Sequence, residues 1–355
     1  MLSKDDLQRY QRHIKLDLIG VSGQEKLLAA KVLVIGAGGL GSPVLSYLAA
    51  AGVGNITIVD GDVVDLSNLQ RQVIFSEADL GINKAIAAKQ KLEKLNPSIN
   101  IQAIEKYFSI ENALELTSKA DVVIDGSDNF ETRYLVNDSC IIANKPFVYG
   151  SIFMFDGQVS VFNFKGGPTY RCLFPSPPKP GQMPSCAEIG VMGVLPGIIG
   201  SLQASEAIKI ICGIGEVLSG KAFLFNALNL DSNLIEIGLE PKNLEITSLE
   251  SHSISCKFNE EIKQVSPKEF YSINAEEWQV IDVRQPDEYY MRNIGGKNIP
   301  LSEIENRLDE FHADKNILIH CQSGRRSDKA IRILKDKMPD LKVFNLQGGI
   351  EAIKK

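Results

Sequence analysis

The sequence predicts an α/β protein, with a doubly wound, mixed-sheet domain followed by a second, smaller α/β domain. Three observations lead there. Short apolar runs ending in Gly or Asp alternate with helical stretches between residues 31 and 151, the pattern of a parallel sheet covered by helices. After Gly157 the chain alternates apolar and polar residues (QVSVFNF), as antiparallel strands do. Beyond a polar, aperiodic stretch at residues 240–263, strand-like and helical segments resume.

Residues 31–36 (KVLVIG), a helical stretch at 41–51 and a second strand at 55–60 (NITIVD) form a β-α-β unit. Further strands are expected at 99–104, 121–125 and 147–151, with a helix at 83–95. The most apolar stretch, 189–202, is too short to span a bilayer and runs into Gln203, Glu206 and Lys209, so it reads as a buried loop and helix. Five of the 15 prolines fall between Pro175 and Pro184, which neither helix nor strand tolerates. The expected division is a first domain at 1–240, a linker at 241–264 and a second domain at 265–355. That last domain carries strands at 280–283 (VIDV) and 317–320 (ILIH) and a helix at 327–337.

A net charge of -6 and a pI near 5.5 argue against binding nucleic acid or anionic membrane through the overall field. The first 13 residues lack the apolar segment of a secretion signal. Six cysteines without paired spacing, in a chain large enough to fold without cross-links, fit a reducing, cytoplasmic setting.

Gly36, Gly38 and Gly41 satisfy G-x-G-x-x-G between strand and helix, and Gly39 adds another position open to a phosphate. This is the Rossmann-like arrangement. Asp60 closes the second strand 24 residues after Gly36, where a carboxylate accepts hydrogen bonds from ribose. These features alone describe a dinucleotide-binding dehydrogenase. The segment 66–72 (LSNLQRQ) and GINK at 81–84 move the reading toward ATP, because Arg71 and Lys84, with Arg12, offer cations to phosphate. Displacing pyrophosphate needs positive charge on the leaving oxygens, whereas hydride transfer does not. DGSDN at 125–129 follows a buried strand, and a carboxylate there suits Mg²⁺.

GAGGLGS (36–42), SNLQRQ (67–72), GINK (81–84), SDN (127–129) and YRCLFP (170–175) together resemble the MoeB/ThiF family of ubiquitin-activating-like adenylyltransferases. The resemblance implies that Arg12, Asn68, Arg71 and Lys84 contact ATP phosphates, that Asp60 holds the ribose, and that Asp128 binds Mg²⁺. Ser67, Leu69, Gln70 and Asn129 belong to the same motifs, and Arg71 would steady the departing pyrophosphate. The implied substrate is the Gly-Gly tail of a ubiquitin-like sulfur carrier of the MoaD/ThiS type, converted to an acyl-adenylate by a homodimer. Cys186 matches a family cysteine that some members link covalently to the activated carrier; a buried structural thiol is the competing reading.

In the second domain, DVR (282–284), NIPL (298–301), HCQSGRRS (320–327) and LQGG (346–349) resemble a rhodanese domain with Cys321 as nucleophile. Its loop, Cys321, Gln322, Ser323, Gly324, Arg325 and Arg326, turns from a strand into a helix and favours a thiolate or persulfide anion. A cysteine phosphatase would need its arginine at position 327, which is Ser327, so the loop is one residue short and sized for sulfur. The usual aromatic after the Gly-Gly is Ile350 here. The combined expectation is ATP-dependent adenylation of a carrier followed by sulfur transfer, with a cysteine desulfurase or thiosulfate as donor. The rivals are an NAD-dependent oxidoreductase with a docking rhodanese domain and a non-catalytic adaptor.

Many members of the resembled family carry a structural zinc held by two Cys-x-x-Cys pairs. Here Cys172 faces Thr169 where its partner should be, and residues 238–251 contain no cysteine. One thiol does not make a tetrahedral zinc site. Metal analysis of the purified protein is therefore expected to find no stoichiometric zinc, and one zinc per chain would contradict this.

Overall fold

The computed structural model describes residues 2–177, 190–249, 262–274 and 276–353. The chain forms two compact units, 1–254 and 255–355.

The first unit is built on eight strands: β1 (Lys31–Ile35), β2 (Asn55–Val59), β3 (Asn100–Ile104), β4 (Val122–Asp125), β5 (Phe147–Phe153), β6 (Asp156–Phe162), β7 (Lys221–Asn226) and β8 (Ser232–Glu236). Their order is β3-β2-β1-β4-β5-β6-β7-β8. The first five pair in parallel, and β6 to β8 continue antiparallel, so the sheet is mixed as the sequence predicts.

Both faces of the parallel part are covered, which explains why its strands are continuously apolar. Val32 and Val34 of β1 join one core with the helices Gly41–Ala51, Lys84–Leu95 and Leu195–Cys212. Leu33 and Ile35 join the other with the helices Ile110–Ser118 and Phe130–Ile142. The second core is rich in aromatics, with Tyr134, Tyr149, Phe162 and Tyr170 at centroid distances of 5.1 to 5.9 Å.

The polar residues that follow the apolar stretch at 189–202 lie on the helix Leu195–Cys212, and two of them are buried with partners. Gln203 donates to the Asp125 carbonyl at 2.7 Å, and Glu206 accepts from the Leu218 amide at 2.9 Å and pairs with Lys209. Among the described residues no helix is long and apolar enough to cross a membrane. The stretch expected as linker begins with residues that pack on the first unit: Asn243 reaches Cys172, and Leu249 lies against the aromatic core.

The second unit has a five-stranded parallel sheet from β9 (Gln264–Val265), β10 (Trp278–Asp282), β11 (Lys297–Asn298), β12 (Asn316–His320) and β13 (Lys342–Leu346), ordered β11-β10-β12-β13-β9. The helix Arg325–Lys337 places Ala330, Ile331 and Leu334 in its core. It begins two residues before the expected start, because the helical turn opens directly from Gly324 at a positive φ of 97°.

The two units have separate cores, and the single tryptophan, Trp278, belongs to the second. Leu48→Ala, at a fully buried site of the first core, should cost about 2–5 kcal/mol. It should lower the urea midpoint seen by far-ultraviolet circular dichroism and leave the Trp278 fluorescence transition in place. Equal shifts in both probes would contradict separate cores.

Candidate functional sites

The order β3-β2-β1-β4 places the loops after β1 and β4 side by side at the carboxyl edge, where the winding direction reverses and open α/β sheets bind ligands. The glycine turn follows β1. Gly36 has a φ of 87°, and a side chain at Gly41 would overlap the Gly36 carbonyl, so the turn closes tightly onto the N-terminus of the helix Gly41–Ala51. The loop after β4 lies against it, since a side chain at Gly36 would come within 2.8 Å of the Gly126 carbonyl.

Asp60, at the end of β2, binds this turn directly. Its Oδ2 accepts from the Ala37 amide at 2.8 Å and its Oδ1 from the Asp62 amide at 2.9 Å. Burial pushes its carboxyl above the ordinary range, against the pull of the Ala37 amide and Lys84. Each oxygen retains a second lone pair able to accept a further hydrogen bond.

Lys84 opens the helix Lys84–Leu95, is buried, and pairs with Asp62 at 3.0 Å. Tyr107 donates to the other Asp62 oxygen at 2.7 Å. Arg71 lies alongside the glycine turn, with its Cδ 3.7 Å from where a Gly39 side chain would begin, and donates to the Ser67 carbonyl at 3.1 Å. Asn68, Leu69 and Gln70 belong to the same turn; Gln70 packs against Gly193, and Pro196 covers Gly39. Asp128 is exposed on the loop after β4, while Asn129 caps the helix Phe130–Ile142 by accepting from Thr132 at 2.9 Å.

Arg12 is not brought to this cluster within one chain. It is exposed on the helical turn Gln11–Ile14, whose neighbours bind the opposite helix ends. Tyr10 accepts from Asn96 at 2.8 Å, and Gln24, beside His13, donates to Ala51 at 2.9 Å. The 11-residue helix Gly41–Ala51 puts roughly 16 Å between its ends.

Three residues of this site were not singled out from sequence. Gln72 is buried 3.5 Å from the Gly38 side-chain position; it lay inside the LSNLQRQ motif and was the signal missed. Asp62 and Tyr107 carry no sequence signal, because only the fold brings the loop after β3 to the end of β2.

The position of the absent cysteine pairs is filled by hydrogen bonds. The Cys172 sulfur lies 3.4 Å from the Thr169 amide and hydroxyl, 3.4 Å from the Glu240 amide and 3.5 Å from Asn243 Nδ2. Burial opposes ionisation of this thiol, yet the Asn243, Thr169 and Glu240 donors outweigh it and hold it below the ordinary range. Cys186 lies outside the described residues.

In the second unit, Cys321 follows β12 and is 1% exposed. The Gly324 amide donates to its sulfur at 3.2 Å, and the Ser327 hydroxyl lies 3.6 Å from it. Arg326 forms a two-pronged pair with Glu288 at 2.6 and 2.7 Å, which holds the Glu288 carboxyl below its ordinary range. Gln322 bridges Arg284 and Glu351, and Arg284 forms a buried pair with Asp282 at 2.6 Å. The segment after β13 closes the loop from behind: Ile350, fully buried, donates its amide to the Cys321 carbonyl at 2.8 Å. An aliphatic residue therefore serves where the sequence led one to expect an aromatic.

Residues 10–246 match the ThiF family, and residues 266–355 match the rhodanese-like domain. A probable adenylyltransferase/sulfurtransferase MoeZ of Mycobacterium tuberculosis is 42% identical over 99% of this chain and 93% of its own length. A sulfur carrier protein adenylyltransferase of Thermus thermophilus is 49% identical over 68% of this chain and 90% of its own. Among solved structures, E. coli MccB with MccA-N7isoASN superposes with a TM-score of 0.60 at 25% identity, over 68% of this chain and 75% of that one. MccB with ATP superposes with a TM-score of 0.57 at 27% identity, over 66% and 72%.

His320, directly before Cys321, is fully buried, and burial lowers its imidazole from 6.5 to about 4. The folded state therefore binds fewer protons than the unfolded state between these values. Its contribution is intact above the unfolded value and is lost as pH falls toward the folded one, by about 3 kcal/mol in all. Urea unfolding followed by Trp278 should show His320→Leu losing less stability than the parent between pH 7 and pH 4.5. Equal losses would contradict a neutral buried imidazole.

Proposed function

We propose, from the premise that this chain belongs to the ThiF family and ends in a rhodanese-like domain, that it activates a sulfur carrier and then sulfurates it. The chain is an adenylyltransferase and sulfurtransferase. Its proposed substrate is the C-terminal Gly-Gly carboxylate of a ubiquitin-like carrier, and its proposed product the thiocarboxylate.

The observation that carries this reading is the presence in one chain of a glycine turn flanked by Arg71 and a Cys321 sulfur facing the Gly324 amide. The glycine turn, Asn68, Arg71 and Lys84 would hold the ATP phosphates, Asp60 the ribose, and Asp128 a magnesium ion. A carrier carboxylate oxygen attacks the α-phosphorus, forming an acyl-phosphate bond as pyrophosphate leaves. Positive charge on the leaving oxygens is the role assigned to Arg71. Lys84 reaches phosphate by exchanging Asp62 for a more highly charged partner.

The terminal sulfur of a Cys321 persulfide, received from a protein persulfide or thiosulfate, then attacks the acyl carbon and expels AMP. A second thiolate, for which Cys186 is the candidate, attacks the Cys321 sulfur, releases the thiocarboxylate and leaves a disulfide for a thiol reductant to open. Joining both sites in one chain raises the effective concentration of one toward the other. A homodimer belongs to this reading, and it is the setting in which Arg12 would approach a nucleotide, given its distance from the glycine turn of its own chain.

An oxidoreductase leaves Arg71 without a task, and an adaptor would bind the carrier without consuming ATP. Exchange of labelled pyrophosphate into ATP, dependent on a Gly-Gly-tailed carrier, is the expected result. Arg71→Ala should reduce it at least about a hundredfold, whereas Cys321→Ala should retain exchange and lose thiosulfate:cyanide sulfurtransfer. No exchange by the parent would overturn the adenylation reading, and undiminished sulfurtransfer by Cys321→Ala the assignment of that thiol.

A further inference from the structure

Ser327 and Asn345 are buried behind the sulfur loop and have no part in the chemistry above. Ser327 lies in the first turn of the helix Arg325–Lys337, and Asn345 lies on β13, in register with Ile319 of β12, two residues before Cys321. The strand pairing therefore fixes Asn345 beside the loop. Its Nδ2 donates to the Gly324 carbonyl at 3.2 Å, which turns Oδ1 toward Ser327. The Ser327 hydroxyl meets that oxygen at 2.6 Å, the Gly324 carbonyl at 3.0 Å and the Cys321 sulfur at 3.6 Å.

A hydroxyl has one proton to donate. Here three acceptors compete for it, and the shortest contact is to Asn345. A neutral Cys321 thiol is a weak acceptor that does not need this proton, so Ser327 is free to donate to Asn345. When the sulfur carries a negative charge, as thiolate or persulfide, the strongest acceptor in reach is the sulfur. Satisfying it requires the hydroxyl to turn away from Asn345. Asn345 cannot simply reverse its amide in response, because Nδ2 is held by Gly324.

We propose that Ser327 is a catalytic hydroxyl that donates to the Cys321 sulfur in its anionic states, and that Asn345 is a positioning residue that competes for the same proton. This rests on the reading of Cys321 as the sulfur-carrying thiol. Ser327 thus stabilises the anion, and Asn345, by holding the same proton, opposes it. Both residues act with the Gly324 amide, which faces the sulfur in either state.

The charged groups around Cys321 do not produce the same pattern. Arg326 beside the sulfur is paired with Glu288, Arg284 with Asp282, and Asp328 with Arg332, while burial disfavours the charged form of His320. None of these pairs includes Ser327 or Asn345. Replacing either residue therefore changes the hydrogen bonding of the sulfur and leaves those charges in place.

The test is the pH dependence of alkylation of the full chain by iodoacetamide, read at the Cys321 peptide by mass. In this reaction the thiolate displaces iodide from the methylene carbon. Ser327→Ala should move the midpoint upward by about one pH unit, since one hydrogen bond to the anion is lost. Asn345→Ala should move it downward, because the Ser327 proton is released to the sulfur. The double variant should follow Ser327→Ala, as Asn345 acts through Ser327.

An unmoved midpoint in Ser327→Ala would overturn the proposal, as would an upward shift in Asn345→Ala, which would mark a residue that only shapes the loop. Alkylation does not depend on sulfur transfer. If the midpoints move as stated while the parent lacks thiosulfate:cyanide activity, the functional reading fails and the hydrogen-bond assignment stands.

Discussion

The first site depends on one carboxylate. Asp60 ends β2 and binds the Ala37 amide inside the glycine turn after β1, so two adjacent parallel strands are joined by a side chain at the edge where the ligand would lie. Burying this group opposes its ionisation; two backbone N–H donors offset part of that cost and fix its orientation. With the turn fixed, the Gly41 helix presents its N-terminal amides, and Arg71 lies along Gly39. Lys84 belongs to the same assembly through Asp62, whose amide binds Asp60 and whose carboxylate holds the lysine.

The second site is built by the same rule on a smaller sheet. A parallel strand ends, the chain turns through a loop with inward donors, and a helix begins. What keeps the Cys321 loop in shape is the segment after β13, which donates the Ile350 amide to the Cys321 carbonyl and leaves no room for a side chain at Gly349. The candidate nucleotide site and the candidate sulfur site thus both lie at the carboxyl ends of parallel strands, where backbone N–H groups converge without repacking either core.

Much of this was legible in the sequence because it is local. KVLVIG, GAGGLGS and HCQSGRRS each place strand, turn and helix within a few residues, and the expected strands agree with the observed ones to within a residue or two at most ends. Contacts between distant segments were not legible. The family resemblance placed Arg12 at the phosphates, yet the packing of Tyr10 and Gln24 puts it at the far ends of the helices. Asn345 meets Ser327 through the register of β12 and β13, which no motif encodes. Glu240 and Asn243 converge on Cys172 across about seventy residues, where a pattern of absent cysteines revealed only what was missing. Ile350 shows the converse, since its backbone amide, not its side-chain type, makes the contact that closes the loop.

The claim that one chain both activates and sulfurates a carrier is tested most directly by following a single labelled sulfur. Cys321 is charged with ³⁵S persulfide, free donor is removed, and carrier is added with or without ATP and magnesium. Transfer of close to one labelled sulfur per chain to the carrier C-terminus, and only with ATP, is the predicted result. Equal transfer without ATP, or none with it, would contradict the account.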